Sequence, residues 1–78
     1  MEITHAFGKV IRQLRKEAKL TQEQLGFEAD LRRTFISLLE LGQQQPTLTT
    51  IFKLAKALNV SASEIVHLIE NELNSESA

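Results

Sequence analysis

Two adjacent arginines open a stretch that soon turns apolar, "RRTFISLL" at positions 32–39. If a helix begins here, two cations lie at its positive end, which is unfavourable by roughly 0.3–1 kcal/mol for each. Arg32 also stands where Ser, Thr or Asp would cap, which forgoes about 1 kcal/mol more. Arginine binds guanine edges and phosphates through paired N–H groups, and nearby hydroxyls add contacts. The pair therefore predicts an anionic partner in front of Arg32 and Arg33, within reach of Thr34 and Ser37.

A second interpretation needs no external partner. Glu28 and Asp30 lie just before the arginines and could neutralise them within the protein. The charge pattern alone fits either interpretation.

Residues that other chemistries require are missing from the sequence. There is no cysteine, so a thiol nucleophile, a disulfide and a thiolate metal site are excluded. No Gly-rich phosphate loop, His-x-x-x-His motif or carboxylate pair at ligand spacing is present. His5 and His67 are far apart and are interpreted as solvated helix residues. We therefore expect no enzyme activity, no metal and no cofactor.

Length and charge narrow the class further. The 78 residues form one domain, with no room for a second domain that would sense a small molecule. The net charge of −1 hides a division, because residues 1–60 hold nine bases and six acids while residues 61–78 hold four acids and no base. This division is compatible with a basic face and an acidic far end. Since no signal peptide or membrane span is evident, we expect a cytoplasmic protein.

The elements that position the arginines are all helical. Apolar residues recur at steps of three and four, which predicts amphipathic helices and no sheet. A first helix is predicted from a buried stripe of Phe7, Ile11, Leu14 and Ala18. A second begins at Thr21, where Gln24 completes a capping box.

Three more helices follow along the chain. The third covers Arg32 to Leu41 and ends at Gly42, a residue typical of helix C-termini. Thr47 caps the fourth, and a capping box at 61–64 opens the fifth. The sequence therefore predicts an all-α, compact five-helix domain.

The second and third helices are joined by about three residues, so they cross steeply and closely. Gly26 and Ala29 supply small side chains at this contact, although a glycine within a helix costs about 0.5–1 kcal/mol. Two helices joined in this way at residues 21–41 are typical of a helix-turn-helix unit, which places the start of its second helix in the major groove of DNA.

The ordered elements "LTQEQLG", "FISLLELG" and "KLAKALNV" resemble the phage-repressor/Cro-like (XRE) family of helix-turn-helix transcriptional regulators. The resemblance covers roughly residues 7–66, and "LRRTFIS" is most similar to restriction–modification controller proteins and similar short regulators. It implies a lambda-repressor-like fold and sequence-specific binding of double-stranded DNA.

The resemblance also implies roles for single residues. Gln22 matches an amide that binds a phosphate, and Arg15 and Glu40 match a buried structural ion pair. Base-facing positions match Arg32, Arg33, Thr34 and Leu38. The complete set expected to contact DNA is Thr21, Gln22, Arg32, Arg33, Thr34, Ser37, Leu38 and Gln43.

Some positions depart from the family pattern. Lys19 and Asp30 replace glycines at helix ends, and Asp tolerates the left-handed conformation that such an end requires. Leu41, Gln43 and Gln44 stand where basic residues are common. We therefore expect few phosphate contacts and a shallow salt dependence of DNA binding.

The last helix has more apolar residues than one face can bury, which predicts a homodimer. Ile65, Leu68 and Ile69 can face the core, which leaves Val66 and Leu73, with the edge of Ile69, on a second stripe. A two-fold dimer would read a pseudo-palindrome with half-sites about 34–36 Å apart. The domain thus spans residues 1–73, with a dimerising helix at 61–73 and a disordered tail at 74–78. A monomer with a partly exposed end helix is the alternative.

One rival function stays open. An antitoxin-type helix-turn-helix protein binds and neutralises a partner protein, and here the acidic fifth helix would be the surface for that partner. The two functions are compatible, since antitoxins of this kind usually bind their own promoter.

Overall fold

A computed structural model describes residues 2–77 and contains no strand in that range. The five predicted helices are present: α1 (Ile3–Glu17), α2 (Gln22–Ala29), α3 (Arg33–Glu40), α4 (Leu48–Leu58) and α5 (Ala62–Ser77). Within the same residues, no helix is both long and apolar enough to cross a membrane. The all-α prediction is confirmed.

One core holds the helices together, and each helix contributes to it. Its largest fully buried side chains are Ile11, Leu25, Ile36, Leu39, Leu54 and Ile65. The predicted stripe on α1 supplies Phe7 and Ile11, and Leu14 packs at the edge of the core. Ala18 is exposed, contrary to the prediction, because α1 ends at Glu17 and the chain turns away.

The predicted helix starts are present. Thr21 Oγ1 accepts a hydrogen bond from Gln24 N at 3.0 Å, and Gln24 Oε1 accepts one from Thr21 N at 2.8 Å. This is the reciprocal capping box at the start of α2. Thr47 caps α4 through Thr50 N at 3.1 Å, and Ser61 Oγ accepts from Glu64 N at 3.0 Å ahead of α5.

Three helix ends close through left-handed residues that are not glycine: Lys19, Asp30 and Asn59, with φ near 60°, 57° and 59°. At each end a backbone N–H reaches back to the carbonyl five residues earlier, as Leu20 N does to Arg15 O at 3.1 Å. The expected left-handed conformation of Asp30 is confirmed. α3 ends with Gly42 in the same conformation.

α5 extends beyond its predicted end. Residues 74–77 continue the helix, where a tail at 74–78 was predicted, and residue 78 lies outside the described residues. Lys9 Nζ lies 3.0 Å from Glu72 Oε2, which ties α5 to α1, and Leu73 packs against the core. Ser75 Oγ also donates a hydrogen bond to Glu72 O at 3.0 Å. These contacts stabilise the last turns of α5, although most of their residues are polar.

Candidate nucleic-acid interface

Gly26 allows the start of α3 to approach α2. A Cβ atom at this position would lie 2.6 Å from the carbonyl oxygen of Leu31, closer than non-bonded atoms pack. Leu31 N donates a hydrogen bond to Gly26 O at 2.8 Å, so the turn is held from both sides. The predicted close contact at Gly26 is therefore present, and it fixes the direction in which α3 leaves α2.

The two arginines lie at the start of α3, as the sequence predicts. Arg32 is the N-cap, with φ −72° and ψ 144°, and its side chain makes no capping hydrogen bond. Arg33 is the first helical residue, one position later than predicted, and the first turn contains no acidic residue. Arg32, Arg33 and Thr34 are all exposed. The positive end of the helix and two guanidinium groups thus share one exposed surface.

The neighbouring acidic residues Glu28 and Asp30 form no ion pair with the arginines. Among residues 2–75, whose side chains are described, neither Arg32 nor Arg33 forms an ion pair. Asp30 lies instead 4.0 Å from Lys53 Nζ, and its side chain is 98% exposed. Neither Glu28 nor Asp30 therefore holds an arginine in an ion pair, and both arginines are exposed.

The N-terminus of α2 and the start of α3 share a shallow depression. Its lining residues are Arg15, Thr21, Gln22, Glu23 and Arg33. The expected phosphate-binding amide of Gln22 and the expected base-reading group of Arg33 are therefore brought together, although they are eleven positions apart in the sequence. Glu23 adds one carboxylate to the same surface.

The remaining residues expected at DNA lie along α3 and just beyond it. Ser37 is four residues after Arg33, on the same side of the helix, and is half-buried. Leu38 is also half-buried, so only part of its side chain is exposed on this surface. Gln43 is exposed, while its backbone N–H donates to Leu38 O at 2.9 Å and closes α3.

The predicted ion pair between α1 and α3 is present. Arg15 Nε donates to Glu40 Oε2 at 2.6 Å, and Arg15 Nη2 donates to Glu40 Oε1 at 3.0 Å. The two side chains are only 12% and 4% exposed, and Arg15 Nη1 also donates to Leu20 O at 2.9 Å. The hydrogen bond to Glu40 raises the pKa of Arg15; burial opposes this rise, and the charge of Glu40 adds to it.

A helix-turn-helix family profile matches residues 11–65, which include α2, α3 and most of the core. The chain belongs to the XRE-like helix-turn-helix family. Control protein C.BamHI of Bacillus amyloliquefaciens is 41% identical over 61 residues, which are 77% of this chain and 75% of that protein. Control protein C.MunI of a Mycoplasma species is 35% identical over 72 residues, 91% of this chain and 97% of its own length.

One solved structure that is similar to this chain is also that of a controller protein. The restriction–modification controller protein C.AhdI from Aeromonas hydrophila superposes with a TM-score of 0.78 and 37% identity, over 80% of this chain and 94% of that chain. As a member of the XRE-like family, the chain is a DNA-binding transcriptional regulator and not an enzyme.

The residues predicted for a dimer interface of this XRE-like protein differ in exposure. Val66 is 44% exposed, whereas Ile69 is only 7% exposed and Leu73 is half-buried against the core. Val66 and Ile69 both line a groove between α1, α4 and α5, which Ile3 and Ile51 also line. Leu73 is not one of the residues that line this groove.

Sequence reasoning missed several exposed apolar side chains. Ile3, Leu48 and Phe52 are exposed, and Ile3 lines the groove. Leu48 and Phe52 are four residues apart on α4, beside Ile51. Their positions off the buried stripe were the available signal. Phe27 is 85% exposed on α2, and nothing in the structure explains an aromatic residue there.

Proposed function

We propose that this regulator binds a pseudo-palindromic operator as a homodimer, with the first turn of α3 from each protomer in the major groove. The observation that carries this proposal is the start of α3, where two exposed arginines have no ion-pair partner among the described side chains. A duplex would supply the missing negative charge, both from phosphates and from guanine edges.

The proposed contacts divide into two classes. Arg32, Arg33 and Thr34 read base edges, with Ser37 and Leu38 one turn further along. Phosphates are bound by the residues at the ends of α2 and α3: Thr21, Gln22 and Gln43. Phosphate contacts set the register of the protein on the duplex, whereas base contacts set its sequence preference.

The proposed dimer face is the groove between α1, α4 and α5. Val66 and Ile3 are exposed at its rim, and Ile69 and Ile51 lie within it. A single α3 offers three or four base contacts of about 1–3 kcal/mol each, which is little for an operator in a genome. A two-fold dimer doubles this set.

The central test is selection of bound duplexes from a random pool, followed by affinity measurements on the selected sequence. We expect Arg33→Ala to lower the operator affinity by about 1–3 kcal/mol per half-site and to relax the preference at one base pair. Arg12→Ala is the matched control, because Arg12 is an exposed arginine on α1 outside the depression that Arg33 lines.

Either of two results would contradict the proposal. One is a selection that enriches no sequence, and the other is an Arg33→Ala protein with unchanged footprint and affinity. The first result would favour the partner-binding alternative, in which the acidic residues of α5, such as Glu64 and Glu70, meet a partner protein.

A further inference from the structure

Glu40, the last residue of α3, has a third hydrogen-bond donor besides the two N–H groups of Arg15. Gln22 Nε2 donates to Glu40 Oε1 at 3.1 Å, on the same oxygen that accepts Arg15 Nη2 at 3.0 Å. One carboxylate therefore joins α1, α2 and α3. Since Glu40 is only 4% exposed, water cannot readily replace these donors.

The bond to Glu40 restricts the Gln22 side chain at the protein surface. Gln22 is the first residue of α2 and is half-buried. A free glutamine side chain has three rotatable bonds, and ordering them on binding has an entropic cost. Here one N–H of the amide is already held by Glu40, while the second has no partner among the described side chains. The Gln22 side chain lines the depression that also contains Arg33.

A carboxylate behind a phosphate site would normally repel the ligand. Arg15 removes this difficulty, because its bidentate contact cancels the charge of Glu40. Arg15 is itself fixed by Leu20 O, so the whole network keeps one arrangement. An anchored but electrically neutral support is thus available to the amide.

We infer that Glu40 is a positioning residue for DNA binding: it holds the Gln22 amide ready for a phosphate, while Arg15 neutralises it. This inference rests on the proposed phosphate contact of Gln22. The Arg15–Glu40 pair then has two roles, one in stability and one in binding, and the second acts only through Gln22.

The test must remove the acceptor without leaving a buried charge. Arg15→Met/Glu40→Leu replaces both ionic groups by apolar ones, a change that buried ion pairs tolerate better than loss of one partner. Arg15→Met/Glu40→Gln is the matched control, since it is also uncharged but keeps a carbonyl oxygen that can accept from Gln22. Thermal unfolding of each variant establishes that it is folded at the temperature of the binding assay.

We expect Gln22→Ala to weaken binding about three- to tenfold per half-site, equally on selected and random duplexes, because a phosphate contact carries no sequence information. Arg15→Met/Glu40→Leu should show a loss of the same size, and adding Gln22→Ala to it should cause little further loss. Because both double variants lack Arg15, they differ in the acceptor for Gln22, and Arg15→Met/Glu40→Gln should bind about three- to tenfold more tightly per half-site than Arg15→Met/Glu40→Leu. In the free protein, the side-chain amide NMR signals of Gln22 should shift with Glu40→Leu and not with Glu40→Gln in these backgrounds.

Additive losses in the triple variant would overturn the inference, since Gln22 would then act without Glu40. Full binding by Arg15→Met/Glu40→Leu would overturn it as well. If Gln22→Ala has no effect on any duplex, the phosphate contact and the positioning role both fail. The base-reading proposal would still stand or fall on Arg33→Ala.

Discussion

At the scale of single residues, the carboxylate of Glu40 is held by contacts from two other helices. Its two oxygens accept three hydrogen bonds from Arg15 and Gln22 in a largely buried site. Burial makes each charge costly alone, and the bidentate geometry offsets much of that cost only while both partners are present. Stability at this site therefore depends on the pair and not on either residue.

We expect Glu40→Ala to lower the free energy of unfolding by about 3–5 kcal/mol, because it leaves Arg15 charged and buried. Arg15→Met/Glu40→Leu should lose far less, and Glu17→Ala on the exposed end of α1 should change stability by less than about 0.5 kcal/mol. Denaturant titration measures all three. An equal loss for Glu40→Ala and the double variant would contradict this explanation.

The pH dependence of the same pair follows from the raised pKa of Arg15. A base whose pKa is higher in the folded state contributes its full stability below the unfolded value and loses it only as pH rises through the folded value. Both values lie far above neutrality. The stability difference between the native protein and Arg15→Met/Glu40→Leu should thus stay constant from roughly pH 7 to 10 in denaturant titrations.

At the scale of elements, the helix ends carry an avoidable strain. Lys19 has φ 60°, a conformation that costs a residue with a Cβ about 1–2 kcal/mol relative to its right-handed alternative. Hydrogen bonds from Lys19 N to Lys16 O and from Leu20 N to Arg15 O hold this end in place. Because three helix ends have this conformation without glycine, glycine substitutions there should remove strain and raise the free energy of unfolding.

Lys19→Gly should accordingly raise the free energy of unfolding by about 1 kcal/mol. Lys16→Gly offers the matched control, because Lys16 is exposed within α1 and glycine there should destabilise by about 0.5–1 kcal/mol. Both changes remove one lysine, so the charge effect is shared. A loss of stability with Lys19→Gly would mean that the lysine side chain makes a contribution larger than the strain.

At the scale of the whole molecule, the charges are unevenly placed. Among the described side chains of the proposed DNA surface, Arg32 and Arg33 are the unpaired bases, and the exposed residues Gln43 and Gln44 that follow α3 are uncharged. Three other basic residues are engaged elsewhere: Lys9 pairs with Glu72, Arg15 pairs with Glu40, and Lys53 lies near Asp30. Specific recognition would thus depend on few ionic contacts.

A dimer with two such arginines in each protomer brings at most four unpaired cations to the duplex, and these replace at most about four bound counterions. The logarithm of the operator affinity should fall against the logarithm of salt concentration with a slope no steeper than about −4. Fluorescence anisotropy between low and physiological salt measures the slope. A steeper value would show that lysines of α1 or α4 also reach the backbone of the duplex.

The dimer proposal is tested at the groove between α1, α4 and α5. Val66→Glu places a charge at its exposed rim, so sedimentation should show monomers and the operator affinity should fall. His67→Glu, the neighbouring exposed position outside the groove, should remain dimeric. Unchanged dimers of Val66→Glu would refute this interface.

Much of the architecture could be predicted from the sequence because its signals are local. The apolar spacing, the capping residues Thr21 and Thr47, and the small residue Gly26 beside the turn that follows α2 each act over a few positions. These local features are sufficient to predict five helices and a helix-turn-helix unit. The arginines at the start of α3 belong to the same class, since a helix end is a local feature.

Contacts between distant residues required the tertiary structure. Whether Asp30 pairs with Arg32 or with Lys53 depends on how α4 packs beside α2. A Cβ at Gly8 would lie 2.5 Å from Leu39 O, a constraint that exists only because α1 crosses the end of α3.

The sequence by itself thus determined the helices, the turn between α2 and α3, and the cations at the start of α3, because each follows from neighbouring residues. Only the tertiary structure decided that these cations are unpaired and that one buried carboxylate holds Gln22. These contacts join side chains that are 18 or more positions apart in the sequence. A pattern among neighbouring residues does not show which distant residues will meet.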